Sequence, residues 1–283
     1  MAGQRKPAIK WHNRRITKGC TRSTHSGGCE VVRFSFVPGE PRRYPPTRMD
    51  SPTTESTSEI YSNACAEIAA NFAGRGYRFS KSGPHASRSS DSYKFEIGFH
   101  SSFRNSAGTL VALIVSCGVY SKRLEEWRGS QELIVTTDCV ATGQIGNLTD
   151  DVLVSQWNLA DPESRTATIN NVVSTIESVA LPYFSQFDDT DTLITTLLNR
   201  DVPSMTIDKV IEFLMCFTDH GTAKQSAINF LRRRQNLLRS YTRDYQRYAE
   251  RGLASSHPSG YAKQVAFASH LFGFGDLTEA AGG

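Results

Sequence analysis

The residues best able to do chemistry in this sequence are arginines in its last third, and their chemistry is the binding of anions. Residues 222–252 hold eight Lys or Arg and two Asp or Glu. The arginines of this basic segment are Arg232, Arg233, Arg234, Arg239, Arg243, Arg247 and Arg251. The last four recur at every fourth position, so on a helix they form one slowly winding row.

Three interpretations fit this basic segment. The arginines could be a solvated helix face that pairs with acidic residues of the same molecule. They could bind an acidic protein, or they could bind nucleic acid while neighbouring tyrosines stack on bases. We expect an acidic protein partner rather than nucleic acid. The predicted binding residues are Arg232, Arg239, Arg243, Arg247, Arg251 and Tyr245.

Metal-binding groups are weakly indicated. Ligand atom types without the paired spacing of a zinc clamp occur at His12, Cys20, His25 and Cys29. Asp188, Asp189 and Asp191 could hold a divalent cation through carboxylate oxygens, but helix capping and the helix dipole explain them without a metal, and we favour that explanation. We therefore expect no metal and no cofactor.

His100 is the best candidate for acid–base chemistry, because it lies on the polar side of a predicted strand near Glu96. No nucleophile or orienting partner can be assigned to it from the sequence. The sequence also lacks a Walker A loop, a Gly-x-Ser-x-Gly elbow, a His-Glu-x-x-His motif and a dinucleotide fingerprint. These observations favour a protein without enzymatic activity, and a cryptic hydrolase or nuclease is the alternative.

The predicted strand that carries His100 belongs to an antiparallel sheet over residues 76–140. Tyr93–Phe103 alternates apolar and polar residues, with Phe103 on the apolar side, as in a half-buried strand. Leu110–Tyr120 is apolar on both faces and should pair with it as a hairpin. Shorter runs near 77–79, 86–88 and 132–140, the last ending before a loop at Gly143, bring the sheet to four or five strands.

Helical periodicity predicts helices at 58–73, 161–180, 206–217 and 223–251. The last of these carries the arginine row and should begin at a Thr222-x-x-Gln225 capping box. Leu181-Pro182 should end the helix that begins at Asp161, and the chain should end in one short helix and a frayed glycine-rich tail. The fold class is therefore α+β: a mainly antiparallel sheet packed by helices, followed by a helical C-terminal region.

Charge and composition suggest three regions. Residues 1–57 are basic and rich in Pro and Ser, and we expect them to be disordered or loosely attached. Translation from Met49 is the alternative, in which case residues 1–48 do not belong to the protein. An α+β domain at 58–200 and a helical region at 201–283 packed on it should follow. No apolar run is long enough to span a bilayer, and the N-terminus has no apolar signal-peptide core, so we expect a cytoplasmic protein with reduced cysteines.

The order of elements carries a family resemblance. The predicted opening helix is followed by Arg75-Gly-Tyr-Arg-Phe. The predicted sheet comes next, and then Leu181-Pro-Tyr-Phe-Ser-Gln-Phe-Asp-Asp. Over about residues 58–200 this resembles a family of small bacterial domains of unknown function, some of which have been proposed as toxin-immunity proteins. The resemblance supplies no catalytic residues, and the basic helix goes beyond its pattern. It implies a non-enzymatic bacterial interaction protein, an immunity-type or defence-associated partner, with nucleic-acid binding as the alternative.

Overall fold

The computed structural model describes residues 55–131, 137–149, 156–253 and 258–283. They belong to a unit formed by residues 52–283. The predictions for residues 1–54, including the four Cys and His candidates, and for strand residues 132–136 lie outside the described residues.

The predicted antiparallel sheet is confirmed, and within the described ranges it has six strands. They are β1 Arg78–Ser80, β2 His85–Ser89, β3 Lys94–Ser101, β4 Ala112–Tyr120, β5 Cys139–Gln144 and β6 Trp157–Asn158. Their order is β1-β2-β3-β4-β5, and β6 also pairs with β4. β5 extends through Gly143, which we predicted in a loop, because residues 139–144 pair with β4.

The two faces of the sheet differ in polarity. On the inner face, alternate residues of β3 and β4 are fully buried; they include Phe95, Ile97, Val115, Cys117 and Val119. The outer face carries the intervening residues, among them Lys94, Glu96, His100, Ser116 and Tyr120. The prediction that Phe103 lies on the apolar side is wrong. β3 ends at Ser101, so the turn carries Phe103 beyond the sheet, where it is 93% exposed.

The first three helices share one hydrophobic core with the inner face of the sheet. α1 is Thr57–Ala70, α2 is Lys122–Ser130 and α3 is Pro162–Thr175. Asp161 caps α3 as predicted, accepting a hydrogen bond from the Glu163 N–H. The chain does not stop at Leu181-Pro182, because a π-helical turn at Ile176–Ala180 leads into α4, Leu181–Ser185. Pro182 follows directly on this π-helical turn, in which the Leu181 N–H donates to the Ile176 carbonyl five residues back.

α4 begins a run of helices that completes the fold. It is followed by α5 Thr190–Asn199, α6 Ile207–Phe217, α7 His220–Arg233, α8 Leu238–Arg251, α9 Tyr261–Leu271 and α10 Thr278–Gly282. The Phe184 ring lies 5.3 Å from the Phe95 ring of β3, centroid to centroid. α4 therefore packs against the inner face through aromatic side chains.

The prediction of one helix over 223–251 is wrong, because α7 and α8 are separated at Arg234. The Arg234 backbone leaves the helical region at φ −135° and ψ 59°, and a 3-10 turn follows. Its guanidinium forms an ion pair with Asp201 and lies 4.3 Å from the centre of the Phe230 ring. These contacts draw Arg234 towards the domain body, and α8 then runs beside α9.

The start of α7 and the end of the chain also differ from prediction. Asp219, rather than a Thr222-Gln225 box, caps α7 by accepting a hydrogen bond from the Thr222 N–H at 2.9 Å. The predicted frayed tail is instead packed, with Phe274, Leu277 and Ala281 buried. Burial of these apolar side chains stabilises an ordered tail. The prediction of fraying rested on the surrounding glycines and overlooked them.

Candidate functional site

The predicted arginine row exists as an exposed face of α8. We call Arg239, Arg243, Arg247 and Arg251 the arginine face; all four are exposed. The Arg243 side chain is 63% exposed and that of Arg247 is 50% exposed. These side chains are therefore available to an anionic partner.

A buried carboxylate lies beneath the middle of the arginine face. Asp244 is 2% exposed, and its Oδ1 lies 3.5 Å from Nε of Arg243 and 3.4 Å from Nη1 of Arg247. At these distances its charge offsets part of the charge of the two central arginines. Part of the row is thus paired within its own molecule.

The tyrosines of α8 lie on its other side and pack against α9. Tyr241 is fully buried, and Tyr245 lies half-buried with its ring 6.3 Å from the His270 ring in an edge contact. Tyr248 makes a similar edge contact with Phe267 at 5.8 Å. The structure therefore places Tyr245 between α8 and α9, away from the arginine face.

The other arginines of the basic segment bind parts of their own chain. Arg232, predicted as a binding residue, donates hydrogen bonds of 3.1 and 2.8 Å to the Ala280 carbonyl. Arg233 and Arg234 form ion pairs with Asp201. Burial acts to raise the pKa of Asp201, but these two guanidinium groups hold it below its usual value. Of the six predicted binding residues, the four of the arginine face share one exposed side of α8.

A second polar group surrounds Gly98 on the outer face of the sheet, and we call it the Gly98 cluster. It contains His85, Glu96, His100 and Ser116, because His85 and Ser116 are the cross-strand partners of Gly98 while Glu96 and His100 lie two residues away on β3. The sequence placed Glu96 and His100 on one face, but His85 and Ser116 join them only through the strand register.

The Gly98 cluster is held by several short contacts. His100 Nε2 lies 2.7 Å from Ser116 Oγ, and His85 Nε2 lies 3.9 Å from Glu96 Oε2. Lys94 Nζ lies 2.7 Å from the same carboxylate oxygen. Burial, and then the negative charge of Glu96, raise the pKa of Tyr120 on the neighbouring strand above its ordinary value.

The acidic run after α4 serves helix capping. Asp189 caps α5 by accepting hydrogen bonds from the N–H groups of Asp191 and Thr192, and the hydrogen bonds from Thr192 lower the pKa of its carboxyl. Asp188 lies 3.6 Å from Nη2 of Arg88. In the ranges that the structure describes, no group of three His, Cys, Asp or Glu could hold a metal ion, and no helix is long and apolar enough to cross a membrane.

Comparison with known proteins gives a family of unknown function. Residues 68–186, less than half of the chain, match the family model described as a domain of unknown function, DUF4304. No curated protein and no solved structure matches the chain. The matched segment runs from the end of α1 to the end of α4 and contains β1 to β6 with the Gly98 cluster, while the arginine face lies outside it. The resemblance to a family of domains of unknown function is confirmed, and over residues 68–186 this chain is similar to DUF4304.

Proposed function

We propose that the protein is a non-enzymatic interaction protein of a bacterial toxin or defence system, an immunity-type partner that binds an acidic surface of another protein through the arginine face. The observation that carries the proposal is the division of α8 into two sides. One side presents four exposed arginines, while the other packs its tyrosines against α9. A helix packed along one side presents its charges in a fixed arrangement, which lowers the entropy lost on binding.

An acidic protein fits this surface better than nucleic acid does. Arginines pair with carboxylates through two parallel hydrogen bonds, and four of them along one helix match an acidic patch. Binding to single-stranded nucleic acid gains much of its energy from aromatic stacking. The α8 tyrosines Tyr241, Tyr245 and Tyr248 instead contact α9 or the C-terminal segment.

The proposal is tested with a double charge reversal, Arg243→Glu with Arg247→Glu. Polyglutamate is the model acidic surface, and affinity capture from native expression supplies the natural partner. We expect wild-type binding that weakens with salt and is lost in the double variant. Lys81→Glu with Lys122→Glu is the matched control, since both lysines are exposed and lie far from α8 in sequence.

The outcomes separate the candidate functions. The proposal is supported if the wild type captures an acidic protein and suppresses its toxicity. The charge-reversal variant, but not the lysine control, should then lose both the capture and the suppression. Failure of the wild type to bind polyglutamate at low salt, or equal losses in the two double variants, contradicts it. A mobility shift with an oligonucleotide at low salt, without binding to polyglutamate, favours the nucleic-acid alternative.

A further inference from the structure

A groove at the start of β2 and the end of β3, lined by residues of the sheet and of α1, is not used by the arginine face. Its floor is Gly98, and His85, Glu96 and His100 of the Gly98 cluster line it together with apolar residues. The groove measures about 460 Å³. Sites for small ligands commonly measure about 300–1,000 Å³, so the space suits one small molecule.

Gly98 leaves room for the hydrogen bond that crosses the floor. A Cβ at this position would lie 2.6 Å from Ser116 Oγ and 3.2 Å from His100 Nε2. Those two atoms lie 2.7 Å from each other. Any larger residue would displace the pair, so the glycine and the His100–Ser116 hydrogen bond form one arrangement on rigid strands.

The groove presents hydrogen-bond acceptors on one side of this floor. His85 Nδ1 lies 2.7 Å from the Gly83 carbonyl, which can only accept, so Nδ1 carries a proton. In the neutral imidazole Nε2 is then an acceptor, and it lies 3.9 Å from Glu96 Oε2. Two acceptors at this separation are bridged well by a ligand that donates a hydrogen bond to each.

The charge around the groove favours a neutral ligand. Lys94 Nζ lies 2.7 Å from Glu96 Oε2, so the carboxylate already has a cation beside it. A positively charged ligand would meet Lys94, and a negatively charged one would meet Glu96. Apolar wall surface is supplied by Tyr61 and Pro84. The ligand should therefore combine several hydroxyl groups with an apolar ring face.

From these contacts we infer that the groove binds a neutral sugar, either free or at the end of a glycan. Adjacent hydroxyls of one ring donate to Glu96 and to His85 Nε2, while a third hydroxyl exchanges hydrogen bonds with His100 and Ser116. The C–H face of the ring packs on the Tyr61 side. This site lies on the sheet and is separate from the arginine face.

The test uses the full chain and the methyl glycosides of glucose, galactose, mannose and N-acetylglucosamine. Saturation-transfer NMR detects binding at millimolar ligand, and amide shifts of the labelled protein locate it. We expect at least one glycoside to bind and to move the Gly98 and His85 signals. Comparing that glycoside with an oligosaccharide that ends in it distinguishes a free sugar from a glycan terminus by which binds more tightly.

Three variants make the assignment specific. Glu96→Gln and His85→Phe should each weaken binding about tenfold or more, because the first replaces a charged acceptor by a neutral amide and the second removes the imidazole acceptor. Ser89→Ala is the control: Ser89 is exposed on the same face at the other end of β2. Circular dichroism confirms that each variant is folded. If one is not, the amide shifts of the wild-type protein decide whether the ligand binds in the groove. The inference is overturned if no glycoside binds, or if binding moves amide signals outside the groove and not those of Gly98 and His85. Equal affinity in all three variants also overturns it.

Discussion

Oδ1 of Asp244, whose side chain is 3% exposed, lies 3.4 Å from Nη1 of Arg247, whose side chain is 50% exposed. A buried carboxylate thus lies beside an exposed guanidinium. Each turn of α8 presents an arginine, but the central two share one internal negative charge. The centre of the arginine face is consequently less positive than two unpaired arginines would make it.

Removing that internal charge should strengthen binding to an acidic surface. Asp244→Asn keeps the side-chain shape and releases Arg243 and Arg247 from their shared counter-charge. We expect polyglutamate to bind about two- to fivefold more tightly at low salt, with a steeper salt dependence, as measured by titration at several salt concentrations.

Glu250→Gln is the matched control, because Glu250 is exposed on the same helix and its loss changes the net charge equally. Its effect should be smaller, since water already screens its charge. Equal effects of the two substitutions would mean that net charge alone matters and that the Asp244–Arg247 contact has no special role.

The fold was largely predictable because local patterns determine it. The alternation at Tyr93–Phe103 and the cap at Asp161 both indicate structure within a few residues. The break at Arg234 was not predictable, since its cause is a contact with Asp201, distant in the sequence. The Gly98 cluster could not be predicted for a similar reason. The alternation of residues assigns each residue to a face of the sheet, but only the strand register brings His85 and Ser116 together.

Arg128 should be important for the stability of the α2–α6 contact. Its side chain is 3% exposed, its Nη2 lies 2.6 Å from Glu212 Oε2, and its Nη1 donates to the Thr137 and Cys139 carbonyls. We expect Arg128→Met to lower the free energy of unfolding by about 3–5 kcal/mol, because the Glu212 carboxylate and the two backbone carbonyls lose their contacts with the guanidinium.

Chemical denaturation measures that loss. Arg128→Lys should fall between wild type and Arg128→Met, since an ammonium keeps the charge but cannot reproduce the guanidinium's geometry. Lys122→Met, an exposed position on the same helix, should change stability by no more than about 0.5 kcal/mol. A similar small change in Arg128→Met would show that these contacts contribute little.

Gly118 and Tyr120 should be energetically coupled. A Cβ at Gly118 would lie 2.5 Å from the Tyr120 hydroxyl oxygen and 2.8 Å from Cζ, so the tyrosine ring covers the glycine. Gly118→Ala should displace the ring and lower the free energy of unfolding by about 1–3 kcal/mol. In a Tyr120→Ala background the same change should cost less, and a double-mutant cycle from chemical denaturation measures the difference. Additive effects would exclude this coupling.

Tyr241 should make alkaline stability depend on one buried hydroxyl. It is fully buried, its hydroxyl accepts a hydrogen bond from the Leu277 N–H at 3.0 Å, and burial raises its pKa to about 12. Tyr241→Phe leaves that N–H without its acceptor, so at neutral pH we expect a loss of about 1–3 kcal/mol in the free energy of unfolding.

The pH dependence follows from the sign of this pKa shift. A tyrosine ionises near pH 10 in the unfolded chain but near pH 12 in the folded one, so its contribution is complete below about pH 10 and is lost as pH rises towards 12. The difference between wild type and Tyr241→Phe should therefore shrink across that interval, as measured by denaturant unfolding at successive pH values. Tyr261→Phe, at a residue that is 50% exposed, is the control variant. A constant difference for Tyr241→Phe from pH 8 to pH 12 would mean that the hydroxyl ionises as easily in the folded protein as in the unfolded chain.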